Sequence, residues 1–131
     1  MTAIGIDLVE IERFKNWHAY ADRQLRKVFS TEEIAYCRAI PAKSAERFAA
    51  RFAAKEALFK ALSAYSCVPV PLLTLCAATE IQTDHRGAHV RISWKYLQAY
   101  YPTLNTNNIT IQCSLSHTST TAGAVVMLYF S

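Results

Sequence analysis

The segment Arg51-Phe-Ala-Ala-Lys55-Glu56-Ala-Leu-Phe-Lys60-Ala-Leu62 most constrains what this chain can fold into. Alanine, leucine, glutamate and lysine are strong helix formers, and neither Gly nor Pro interrupts them. With its flanks, the spacing predicts a helix from near Ser44 to about Ala64. Phe48, Phe52 and Phe59 give it an apolar stripe that belongs in a core. Glu56 and Lys60 stand four residues apart and share one face. Alone, such a pair is an ordinary ion pair on a solvated face. A carboxylate able to hold a metal beside an ammonium able to meet a phosphate is also a phosphoryl-transfer pairing. Arg47, Arg51 and Lys55 form a basic row at the same spacing, suited either to phosphates or to solvent.

The rest of the chain mixes strands and helices. Thr2 to Val9 is short, rich in Ile and Val, and reads as a strand with Asp7 near its end. Glu10 to Lys15 and Trp17 to Phe29 read as helical, with Arg23, Arg26 and Lys27 on a basic face. Ser30-Thr-Glu-Glu33 is a capping box that starts a helix to about Ala39, which Pro41 breaks. Ser66 to Pro71 holds two prolines and reads as a loop. Thr79 to Thr83 and Ala88 to Ile92 read as strands joined by a turn at Asp84 to Gly87. Ser93 to Tyr101 reads as a short helix ended by Pro102, and Asn105 to Asn108 as a turn. Ile109 to Leu115 and Ala122 to Phe130 read as a hairpin around Ser116 to Thr121. The mixture predicts one α+β domain over residues 1–131, with the long helix packed on an antiparallel sheet.

Composition narrows the function. With 131 residues, 52% hydrophobic and 18% charged, the chain can bury a core and is not a disordered tail. A net charge of +4 favours an anionic partner: nucleic acid, phosphorylated cofactor or acidic protein. The N-terminus enters a strand pattern directly and shows no secretory signal. The longest apolar run, Ala122 to Phe130, falls well short of the ~20 residues a spanning helix needs. Cys37, Cys67, Cys76 and Cys113 lack C-x-x-C spacing. They read as reduced, mostly buried thiols of a cytoplasmic protein.

Two further motifs carry chemistry. Gly5-Ile-Asp7-Leu-Val-Glu10-Ile-Glu-Arg13 puts an acid where a strand meets a helix. A lone Asp there is commonly an N-cap. Ser-Leu-Ser116-His117-Thr118 puts an imidazole and hydroxyls at a strand end, where a lone His is commonly structural. Taken in order with Arg51 to Leu62, and with Glu80-Ile81, Asp84 and Gly87 between, these segments resemble the holo-acyl-carrier-protein synthase family of small 4′-phosphopantetheinyl transferases. The resemblance spans almost the whole chain.

The resemblance implies transfer of phosphopantetheine from coenzyme A to a serine of apo acyl carrier protein, leaving adenosine 3′,5′-bisphosphate. It implies that Asp7 and Glu56 hold Mg²⁺ and that Lys60 lies beside the reacting pyrophosphate. It places Ser116, His117 and Thr118 at the nucleotide end of coenzyme A, and Arg13 on the face that docks the carrier. Arg47, Arg51, Lys55 and Lys60 would then meet coenzyme A phosphates, and Arg23, Arg26 and Lys27 the acidic carrier. Glu56 or a metal-bound water can take the serine proton. The resemblance also implies a homotrimer with active sites between subunits. The chain departs from the family pattern at Ala3, where a Gly is usual, and at Ser63-Ala-Tyr-Ser66, where a Gly-Thr-Gly-like sequence is usual. Glycines let backbone approach phosphates closely, so the loop after Leu62 is expected to differ from the family's.

Two other readings use the same residues. A small basic module could grip RNA or DNA through Arg47, Arg51, Lys55 and Lys60, although Glu56 sits inside that patch. A degenerate relative could bind coenzyme A or carrier protein without turnover.

Overall fold

The computed structural model describes residues 1–65 and 70–131. Five strands form one antiparallel sheet: β1 (Thr2–Glu10), β2 (Thr79–Asp84), β3 (Gly87–Ile92), β4 (Ile109–His117) and β5 (Thr121–Phe130), in the order β1-β5-β4-β3-β2. β1 and β4 both pair along their length with β5, setting Asp7 opposite Ala124 and His117 opposite Ala122. Among the described residues the α-helices are α1 (Asp22–Leu25), α2 (Thr31–Arg38), α3 (Ser44–Tyr65) and α4 (Leu72–Ala77). The α+β class and the long helix on an antiparallel sheet are as the sequence indicates.

α3 is the spine of the core. It buries Phe48, Ala49, Ala53, Ala54, Ala57, Leu58, Ala61 and Leu62 against the sheet and α2. Phe52 and Phe59 pack at the margin of the same cluster. The alanines keep the helix surface low, so a strand can lie close on it. At the crossing with β1 the strand residue is Gly5, where a Cβ would overlap the Ala57 carbonyl oxygen. That contact needs glycine for space rather than for dihedral freedom. It sets Asp7, two residues on and on the same face of β1, beside the C-terminal half of α3.

The capping box of α2 is present in both directions: Ser30 Oγ accepts from Glu33 N, and Glu33 accepts from Ser30 N. The same Glu33 carboxylate receives Lys55 Nζ at 2.8 Å and Ile81 N at 3.0 Å. Lys55 also lies within 3.1 Å of the carbonyls of Val28, Cys76 and Thr79. One buried ion pair thus ties α2, α3, α4 and β2 together.

Three local expectations are corrected. The stretch read as helices from Glu10 to Phe29 is instead two 3-10 turns, Ile11–Phe14 and Trp17–Ala19, followed by the single turn α1. Tyr20 and Ala21 are extended, and Trp17 packs against Phe14, Phe29, Phe48 and Phe52, which wraps the chain round an aromatic cluster. From Ser93 to Tyr101 only the 3-10 turn Trp94–Tyr96 is regular, since Leu97 leaves helical dihedrals as it enters the core. α4 lies where no helix was expected. Most of the loop read over Ser66 to Pro71 lies outside the described residues.

Candidate active site

Asp7, Glu56 and Lys60 come together where β1 crosses α3. Lys60 Nζ donates to Asp7 Oδ1 at 3.1 Å and to the Ile6 carbonyl at 3.0 Å. The second Asp7 oxygen, Oδ2, is buried and has no hydrogen-bond partner among the described residues. Burial raises the Glu56 carboxyl above the ordinary range, the Asp7 charge raises it further, and Lys60 and Arg13 oppose the shift. The two carboxylates are thus close enough to interact, and one carries a buried oxygen with no partner among the described residues. That donor set fits a hard divalent cation, which binds through one or two carboxylates and fills its shell with water and substrate phosphate. No group of three or more His, Cys, Asp and Glu gathers among the described residues, so an all-protein metal cage is not what this chain builds.

Arg13 stands near this cluster. Its guanidinium lies 5.2 Å from the Phe52 ring centre, one helical turn before Glu56. Arg23, Arg26 and Lys27 are exposed, as the basic face requires.

The basic row of α3 behaves differently from its sequence reading. Lys55 is fully buried and its ammonium is saturated by Glu33 and three carbonyls, so it has no proton left for coenzyme A or nucleic-acid phosphate. Its place follows from helical period: it lies three and four residues from Phe52 and Phe59, inside the apolar stripe. Arg51 is also buried, donating to Thr83 Oγ1 at 3.1 Å, with Nε unpartnered among the described residues. It faces a cavity of about 300 Å³ that Tyr36, Thr83, Asp84 and His89 also line. Arg47 is half-exposed and bonds the Tyr36 carbonyl at 2.8 Å. Both guanidiniums lie over the Tyr36 ring, at 3.9 and 4.1 Å. The row is thus split between core, cavity and surface.

Ser116, His117 and Thr118 are exposed at the end of β4. Thr118 Oγ1 accepts from Thr120 N at 3.2 Å and Thr121 N at 3.1 Å, which fixes the tight turn into β5. His117 Nε2 lies 3.1 Å from Glu46 Oε1. Two acids, Glu33 and Glu46, thus make contacts that sequence reasoning missed. Lys55 on the apolar stripe was the available signal that a buried counter-ion must exist.

A profile of the 4′-phosphopantetheinyl transferase superfamily matches residues 3–119, and the chain belongs to that superfamily. Within it the chain is an enzyme of the holo-[acyl-carrier-protein] synthase type. The holo-[acyl-carrier-protein] synthase of Syntrophus aciditrophicus is 40% identical over 129 residues, covering 95% of this chain and 92% of the relative. The ACPS–CoA complex of Chronobacterium ammoniagenes superposes with a TM-score of 0.78 at 25% identity, covering 100% of this chain and 98% of that one. The acyl carrier protein synthase of Mycobacterium tuberculosis superposes with a TM-score of 0.68 at 31% identity, covering 98% and 97%.

Proposed function

We propose that this enzyme transfers the 4′-phosphopantetheine of coenzyme A to a serine of apo acyl carrier protein in an Mg²⁺-dependent reaction that releases adenosine 3′,5′-bisphosphate. The observation that carries the reading is the free buried oxygen of Asp7 beside Glu56 and Lys60. Asp7 and Glu56 would hold the ion, which when bound supplies charge neutralisation for the pyrophosphate. Lys60, anchored on Asp7 and the Ile6 carbonyl, points an ammonium at the same place. There it stabilises the leaving phosphate as the bond to the nucleotide breaks. The serine oxygen attacks the phosphorus next to pantetheine, so the chain needs no nucleophile of its own. Glu56, or a water that the ion would bind, accepts the serine proton.

Arg47, Arg51 and the Ser116–His117–Thr118 turn serve the nucleotide end of coenzyme A in this reading. Arg13, Arg23, Arg26 and Lys27 serve the acidic carrier, largely by steering. Such a site is completed by a second copy of the chain, as the resemblance to the family implies.

The outer face of the sheet supplies a surface for such assembly. Ile4, Ile6 and Leu8 on β1 are 64%, 58% and 67% exposed, and Val125 and Tyr129 on the adjoining β5 continue the patch. An apolar stripe of that kind is unusual on a monomer. We read it as the interface of a homotrimer with shared active sites. No described helix is long and apolar enough to cross a membrane, and the thiols that are described are free, which suits a cytoplasmic enzyme.

The reaction is tested by its small product. Coenzyme A and an apo acyl carrier protein incubated with the enzyme should yield adenosine 3′,5′-bisphosphate in step with holo carrier, and EDTA should stop both. Holo carrier without the bisphosphate, or undiminished turnover in EDTA, contradicts the reading.

A further inference from the structure

We infer that Glu46 is a positioning residue for His117, holding the imidazole so that its other nitrogen can meet a coenzyme A phosphate; the inference rests on the nucleotide-end role proposed above for His117. Glu46 lies in the first turn of α3 and His117 at the end of β4, and their side chains meet at 3.1 Å through Oε1 and Nε2. The second ring nitrogen, Nδ1, lies 3.3 Å from the carbonyl of Thr118. The ring is thus held from both edges, where an exposed His at a strand end would ordinarily turn over between two orientations.

The two contacts are not equivalent. With the ring protonated, the Glu46 contact is an ion pair, whereas the partner at the other edge is a neutral carbonyl. The carbonyl contact is longer and involves an exposed backbone oxygen that water can serve as well. Nδ1 is therefore the nitrogen that can exchange its partner for a phosphate oxygen, donating from the imidazolium form, while Glu46 keeps Nε2. The platform beneath is rigid. Thr118 N donates to the Thr121 carbonyl at 2.8 Å, and Ile11 N donates to the Thr120 carbonyl at 2.9 Å, which ties the turn to the segment after β1.

Side-chain exposures of 50% for His117 and 35% for Glu46 mean that the pair adds little to stability. What it supplies is orientation.

The test is the KM for coenzyme A, with kcat and thermal midpoint, for the wild-type enzyme, Glu46→Gln, His117→Ala and the double variant. His117→Ala should raise KM. Glu46→Gln should raise it roughly threefold to fivefold, the scale of an exposed ion pair, with kcat and the thermal midpoint unchanged. In the His117→Ala background Glu46→Gln should add nothing. A KM unchanged or lowered by Glu46→Gln, with KM raised by His117→Ala, overturns the role of Glu46 alone. A KM indifferent to His117→Ala overturns the nucleotide-end reading on which it rests.

Discussion

Lys60 Nζ sits 3.1 Å from Asp7 Oδ1, so the helix and the first strand present one cation and one acid at a single point. The lysine leaves the other Asp7 oxygen unpartnered among the described residues, and Glu56 stands close enough to feel the Asp7 charge. The unpartnered Asp7 oxygen is a place that a divalent ion can fill.

Glu56 should cost the empty enzyme stability. Its carboxyl titrates above the ordinary value of 4.5, because of burial first and Asp7 second. Between the unfolded and folded values the folded state keeps the proton and the unfolded state has released it. Stability therefore falls as pH rises through that window and stays lower above it. Glu56→Gln should raise the thermal midpoint at neutral pH, with the gain vanishing below the ordinary value, while transfer is lost. Added Mg²⁺ should raise the midpoint of the wild type but not of the variant. Scanning calorimetry across pH, with and without the ion, reads both effects.

Gly5→Ala should disturb the site from behind. Its new methyl meets backbone of Ala57 and Ala61, which cannot swing aside as a side chain can. β1 must lift from α3, at a cost of about 1–3 kcal/mol typical of overpacking. Asp7 moves with it and the Lys60 contact lengthens. Denaturant unfolding should show the loss of stability, and activity should fall further than stability alone explains.

Lys55→Met tests the buried pair. Removing the ammonium leaves Glu33 charged, buried and short of its partner, a change that costs about 3–5 kcal/mol in comparable settings. The pair is 0% and 1% exposed, so solvent does not soften it. Urea denaturation should place this variant well below the wild type. A mild effect would show that Glu33 is adequately held by Ser30 and Ile81 alone.

Much of this was legible in the sequence because it is local. The Ser30–Glu33 capping box and the extent of α3 follow from spacing, and alternation with turn residues gives β2 and β3. Glu56 and Lys60 pair by spacing, but Asp7 could be joined to them only through family resemblance, since nothing in the spacing of residue 7 and residues 56 to 60 says that β1 crosses α3 at Gly5. Lys55 was misread because two periodicities pass through it: the basic row from Arg47 and the apolar stripe from Phe48. Burial decided between them, and burial depends on Glu33, which lies on another helix. The aromatic cluster round Trp17 likewise overrode local helical propensity from Glu10 to Phe29.

The exposed stripe on β1 predicts assembly. Ile6→Glu with Leu8→Glu puts charges where copies would meet, and these side chains make no part of the core. The wild type should sediment as a trimer and the double variant as a folded monomer with little transfer activity. A wild-type monomer would remove the shared-site reading.

The transfer of phosphopantetheine by Asp7, Glu56 and Lys60 together can be read by intact-mass spectrometry of an apo acyl carrier protein after incubation with coenzyme A, Mg²⁺ and the wild-type, Asp7→Asn, Glu56→Gln or Lys60→Ala enzyme. The carrier should gain one phosphopantetheine with the wild type and next to none with each variant, while all four proteins remain folded. Full modification by the variants, or none by the wild type, would contradict it.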